Sequence, residues 1–211
     1  MQRRDSLTTG EYYHIFNRGV DKRIIFQSKR DYEYFLNALV YFNSSESNWS
    51  ANRKIEDRPQ DEEQLVELVA YCLNPNHFHL LLKEKQENGI SLYMQKVCTG
   101  YAMYFNQKNK RSGVLFQGRF KSVHIDSNDL LLYLSVYVNC NSEVHGVAKA
   151  LEYPWCSYSE YLSNGNEEII CQKATILEQF KNPKEYEIFC KEKLKGMKDR
   201  KEYEKYNLEN L

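Results

Sequence analysis

The stretch Leu65-Val66-Glu67-Leu68-Val69-Ala70-Tyr71-Cys72-Leu73, Asn74-Pro75-Asn76, His77-Phe78-His79-Leu80-Leu81-Leu82 decides the fold. Two apolar runs of strand length flank an Asn-Pro-Asn turn, the pattern of a β-hairpin. Working towards the N-terminus, residues 43–63 are rich in Ser, Asn, Asp, Glu and Arg and read as a long exposed loop, an insertion or a flap. Before that loop, Ser28 to Phe42 carries Tyr32, Phe35, Leu36, Leu39, Val40 and Phe42 at helical spacing, with Ser28 as a plausible N-cap. Residues 12–18 are aromatic and β-rich and stop at Gly19, so they form a first strand.

Working towards the C-terminus, Ile90 to Asn106 is helical in pattern and Gly113 breaks the chain. Phe120 to Ile125 reads as a strand, and Ser127 or Asn128 caps a helix reaching about Asn139. The order β-α-β-β-α-β, followed by a helix, is the split βαβ or ferredoxin-like arrangement. It predicts an α+β fold: an antiparallel sheet with two helices on one face, then a tyrosine-bearing helix. Residues 184–208, rich in Lys and Glu, predict a helical C-terminal extension with a solvated surface. The chain divides into a unit over 1–160 and an extension over 161–211.

His77 and His79 are two apart on the second hairpin strand, so they share one face while Phe78 enters the other with Leu80. Two imidazoles side by side on a buried type of strand are costly unless something uses them, and coordination of a divalent metal is the obvious use. The bland alternative is a hydrogen-bonded pair at a sheet rim. Two ligands do not close a site, so a third must come from elsewhere. Tyr133, Tyr137 and Asn141 are spaced by four and share a helix face beside the apolar stripe Leu130, Leu134 and Val138. A tyrosine with an amide four residues later could serve one site as nucleophile and ligand; equally, both tyrosines could be packing residues.

Three segments together narrow these alternatives: Tyr13-His14-Ile15-Phe16-Asn17-Arg18-Gly19, Tyr71 to Leu81, and Tyr137-Val138-Asn139-Cys140-Asn141 with Gly146 five residues on. In order and spacing they resemble the single-tyrosine HUH transposases of simple insertion sequences. The REP-associated tyrosine transposases are the nearest branch. Phe116-Gln117-Gly118-Arg119-Phe120-Lys121 and Tyr153-Pro154-Trp155-Cys156-Ser157-Tyr158 also resemble that branch.

The resemblance spans about residues 10–160 and implies that 1–160 is the catalytic domain. It implies a ferredoxin-like fold, His77 and His79 as ligands of a divalent metal, Asn141 as the third ligand, and Tyr137 as the nucleophile. Tyr137 rather than Tyr133 stands four residues before the asparagine of the family's Asn-Pro-Val-like segment; here that segment reads Asn141-Ser142-Glu143, without the usual proline. The implied activity is metal-dependent cleavage and transfer of hairpin-associated single-stranded DNA through a 5′-phosphotyrosine. Mg²⁺ prefers oxygen and a histidine site also suits Mn²⁺, so both ions are candidates. The alternative is a domesticated relative that binds nucleic acid without cutting. Family members work as monomers or as homodimers.

The 211 residues hold 29 basic and 29 acidic side chains, a net charge of zero, which at first argues against a nucleic-acid partner. The charges are unevenly spread. From Asn88 to Ile125 there is no acid, while Lys96, Lys108, Lys110, Arg111, Arg119 and Lys121 stand among Tyr101, Tyr104, Phe105, Phe116 and Phe120. A basic track interleaved with aromatics suits a single strand through phosphate pairing and base stacking. Asn17 and Arg18 extend the expected DNA contacts. Of the remaining imidazoles, His14 reads as packed or DNA-facing, His124 as a possible substitute third ligand, and His145 as solvent-exposed. No apolar segment is long enough to span a bilayer, no secretory signal follows Met1, and six cysteines lack a CxxC pair, so the expectation is a cytoplasmic protein without a membrane partner.

Overall fold

The computed structural model describes residues 7–45, 64–163 and 170–198. Four strands, β1 (Tyr12–Arg18), β2 (Val66–Asn74), β3 (His77–Glu84) and β4 (Lys121–Ile125), form one antiparallel sheet in the order β2-β3-β1-β4. Helices α1 (Lys29–Tyr41) and α2 (Gly89–Lys108) supply the two crossovers, which is the ferredoxin-like order expected from the sequence. After β4 come α3 (Asn128–Asn139), the short α4 (Asn141–Val144), α5 (Tyr158–Leu162), α6 (Ala174–Leu177) and α7 (Pro183–Lys198). The 46–63 part of the expected insertion lies outside the described residues, as do residues 199–208 of the expected C-terminal helix.

The two faces of the sheet have separate partners. Phe78 points to the α1/α2 face, where its ring meets Phe35 at 5.1 Å and Phe116 at 5.9 Å. Its neighbour His79 points to the α3 face and meets Tyr137 at 5.5 Å. Strand alternation alone therefore separates the apolar core from the polar site. The start of α1 is fixed by a capping box: Asp31 Oδ2 accepts from the backbone N–H of Gln27 and Ser28 at 2.8 and 2.9 Å, and the Ser28 side chain accepts in return. Ser127 caps α3 by accepting from the Leu130 N–H.

Gly19 ends β1 where its N–H donates to the Asn76 carbonyl at 2.9 Å, tying the strand to the hairpin turn. A Cβ there would collide with the Arg23 carbonyl, so glycine is needed for this approach. The C-terminal helix is more than a solvated surface. Tyr186 of α7 is fully buried, and its hydroxyl lies 2.9 Å from Asn139 Nδ2, which donates to it, and 3.1 Å from Ser135 Oγ, both on α3. It braces the helix that carries Tyr137 from behind.

Candidate metal and nucleophile site

The site is built where the ends of β2, β3 and β1 meet the junction of α3 and α4. In the sheet register Asn74 pairs with His77, Cys72 with His79, and Phe16 with His79, so these side chains share the α3 face. His77 and His79 stand with rings 5.1 Å apart and nearly perpendicular. Tyr137 is wholly buried, edge-on to His79 at 5.5 Å and to His14 at 5.7 Å. The structure thus brings His77, His79, Tyr137 and Asn141 into one cluster.

Each imidazole is held by its other nitrogen. His77 Nδ1 lies 2.6 Å from Asn76 Oδ1, which can only accept, so Nδ1 carries the proton and Nε2 keeps its lone pair. That lone pair meets the Asn74 amide Nδ2 at 3.0 Å, and the same amide donates to Asn141 Oδ1 at 2.6 Å. Two acceptor atoms from different elements thus converge on one N–H₂ group. His79 Nδ1 lies 2.9 Å from Nε2 of His14, whose ring stacks on it at 5.1 Å. His79 Nε2 is buried with no hydrogen-bond partner. A buried orphan nitrogen beside two converging acceptors fits a cation, and supporting the far nitrogen is how metal-binding histidines are usually oriented.

Burial pushes the pKa of His14 down to about 3 and that of His77 to about 3, with His145 and Arg18 adding to the effect at His77. Burial, with repulsion from His14, His77 and His145, holds His79 well below the usual histidine value. All three are therefore neutral near pH 7, the form that donates a lone pair to a metal.

Three members of this cluster have roles that the sequence does not signal. Asn74 reads in sequence as a turn residue, yet its side chain links His77 to Asn141. His14 reads as packed or DNA-facing, yet it backs His79. His145 is exposed as expected, but its ring lies 5.1 Å from that of His77, and ring nitrogens of His77, His79 and His145 that could hold an ion all fall within 4.8 Å of one another. His124, the expected substitute ligand, pairs instead with Glu11 at 3.1 Å on the α1/α2 side of β4.

The basic track divides by position. Arg18 pairs with His77 across the sheet, and Lys121 pairs with Phe16, its Nζ 5.9 Å from that ring; both flank the histidines. Lys110 and Arg119 are exposed. Lys108 is committed elsewhere. Its ammonium donates to both oxygens of the buried Asp31 at 2.6 and 2.7 Å and to Ser28 Oγ, clamping the end of α2 to the start of α1. Arg111 folds back onto Asn106 Oδ1 and the Val114 carbonyl. Asn17 donates to the Gly118 carbonyl at 3.0 Å and accepts from the Arg18 N–H, so it anchors the loop before β4.

The same cluster is where the chain is similar to known proteins. Residues 52–141, from the insertion through the hairpin to Asn141, match the model of the IS200-like transposase family. No curated protein matches the chain. A solved structure described as a REP-associated tyrosine transposase bound to a REP hairpin superposes with a TM-score of 0.57, at 15% identity, over 78% of this chain and 87% of that one. That likeness establishes the fold. His14, Asn17 and Arg18 lie outside the matched IS200-like segment, whereas His77, His79, Tyr137 and Asn141 lie within it. Among the described residues no helix is long and apolar enough to cross a membrane.

Proposed function

We propose that the chain cleaves and rejoins single-stranded DNA beside a hairpin, with Tyr137 as nucleophile and His77, His79 and Asn141 as the metal-binding set. One observation carries this reading: Tyr137 lies edge-on to His79, the residue whose buried Nε2 lacks a partner. A divalent cation there, Mg²⁺ or Mn²⁺, supplies positive charge against the scissile phosphate and the departing 3′-oxygen. The chain does the rest. Asn76 holds His77 in the tautomer whose Nε2 faces the site, and His14 Nε2 stands where it can accept from His79 Nδ1 and leave the His79 Nε2 lone pair to the site. Arg18 and Lys121 meet the phosphates on either side, with Lys110 and Arg119 available further along the strand. The Tyr137 oxygen bonds to phosphorus as the P–O3′ bond breaks; the phenolic proton is lost and the 3′-oxygen ends as a hydroxyl. The phosphotyrosine keeps the energy of the broken diester, so rejoining needs no nucleotide cofactor.

The complete burial of Tyr137 requires that α3, or what covers it, shift to admit the strand. The same burial favours a second reading, a relative that binds hairpin DNA without cutting. Incubation with labelled hairpin-tailed single-stranded DNA and Mn²⁺ or Mg²⁺ separates them. Cleavage gives an adduct stable on a denaturing gel, abolished in Tyr137→Phe and kept in Tyr133→Phe. A shift on a native gel with no adduct supports the binding-only relative.

A further inference from the structure

Taking the cation site above as its starting point, we propose that His145 is a further ligand of that site and biases it towards Mn²⁺ and Co²⁺ over Mg²⁺. Tyr137, Asn141 and His145 follow one another at intervals of four. The His145 N–H donates to the Asn141 carbonyl at 3.0 Å, so the helical turn is continued through α4 and the two side chains share one face. That face looks at β3. The His145 ring lies 5.1 Å from His77, near perpendicular, and 6.3 Å from His79, near parallel. The candidate donor nitrogens of the three rings lie within 4.8 Å of one another, a spacing that one ion can bridge.

The three imidazoles approach from different directions. His77 and His79 rise from the buried strand, whereas His145 is exposed and closes the site from the solvent side. With His77, His79 and Asn141 alone the set is two nitrogens and one oxygen; His145 makes it three nitrogens and one oxygen. Mg²⁺ takes oxygen ligands and keeps its water, while imidazole suits the transition ions, with affinity rising from Mn²⁺ to Co²⁺. A third imidazole therefore adds affinity for Mn²⁺ and Co²⁺ and adds little for Mg²⁺. His124 is a suitable control, since it is exposed on the other face of the sheet and pairs with Glu11.

The test is calorimetric titration of the metal-free full chain with Mn²⁺, Co²⁺ or Mg²⁺ alone, without DNA. The visible spectrum of the Co²⁺ form is recorded alongside. Wild type, His145→Ala, His124→Ala and His77→Ala are compared. Because His145 is exposed, its alanine variant retains the fold. Losing a residue that merely orients a ligand weakens metal binding about 10- to 100-fold, so losing a ligand should cost at least about tenfold. We expect that loss for Mn²⁺ and Co²⁺ in His145→Ala, a changed Co²⁺ spectrum, a Mg²⁺ affinity within about threefold of wild type, and no change in His124→Ala. If His77→Ala abolishes binding while His145→Ala leaves all three affinities and the spectrum unchanged, His145 is not a ligand and the cation site stands. If wild type binds none of the ions, the cation site itself falls, and this assignment with it.

Discussion

Replacing His14 by phenylalanine tests how the site is supported. His14 is fully buried on β1, its Nε2 2.9 Å from Nδ1 of His79. Phenylalanine retains a ring that can stack on Phe16, now 4.9 Å away, and meet Tyr137 edge-on, but it removes the nitrogen. For His79 Nε2 to keep a lone pair, Nδ1 must carry the proton and donate it to His14. Without that acceptor the Nδ1–H is buried unpaired, at a cost of about 1–3 kcal/mol. His79 is then no longer held in that tautomer: its proton can sit on Nε2, equally unpaired, which removes the lone pair that would bind the ion. Losing such a supporting residue weakens metal binding about 10- to 100-fold, or about 1.4–2.7 kcal/mol. Calorimetry with Mn²⁺ reads this directly, with circular dichroism checking that the variant is folded. A folded His14→Phe that binds Mn²⁺ within about twofold of wild type would refute the supporting role.

Further outcomes follow from the same geometry. Folded His14 and His77 titrate near 3 against an ordinary value of 6.5, so below pH 6.5 the unfolded chain takes up protons that the fold refuses. The loss of stability should approach about 1.4 kcal/mol per pH unit for each, about 3 kcal/mol for the pair between pH 6.5 and 5; urea denaturation that is flat over this interval contradicts the burial argument. Lys108→Ala strands the buried Asp31 carboxylate and should cost about 1–3 kcal/mol, a figure reduced because the lysine is itself partly exposed. Its single-strand affinity, measured on folded protein, should stay near wild type. Lys121→Ala, beside the histidines, should instead leave stability alone and reduce the salt slope of single-strand binding by about 0.7.

Much of the fold was legible because its signals are local. The hairpin is written in two apolar runs and one turn, and the helices in their 3.6-residue spacing; β1, α1, α2, β4 and α3 fall within about two residues of where the pattern put them. The shared face of His77 and His79 followed from strand alternation, and that of Tyr137 and Asn141 from helix periodicity. What stayed hidden depends on contacts between distant segments. His14 meets His79 across 65 residues, Asn74 meets Asn141 across 67, and Lys108 meets Asp31 across 77. None has a local pattern, so Lys108 read as part of a DNA track when its charge is already committed to a buried carboxylate. In sequence His145 is an ordinary loop residue, because the apolar helical pattern ends at Asn139. The α4 turn carries the same face one turn further. The C-terminal extension read as solvated because its Lys and Glu outnumber its apolar residues, yet buried Tyr186 is enough to dock it on α3.

The most direct measurement of the central claim is the identity of the residue that becomes joined to DNA. After reaction with hairpin-tailed single-stranded DNA and Mn²⁺, proteolysis and fragment-ion mass spectrometry locate the nucleotide remnant. The account predicts a phosphodiester-derived mass on Tyr137, through a 5′-phosphate, and a free 3′-hydroxyl on the released strand. A remnant on Tyr133, or on any other side chain, would contradict it, as would cleavage that leaves no protein-linked DNA at any time.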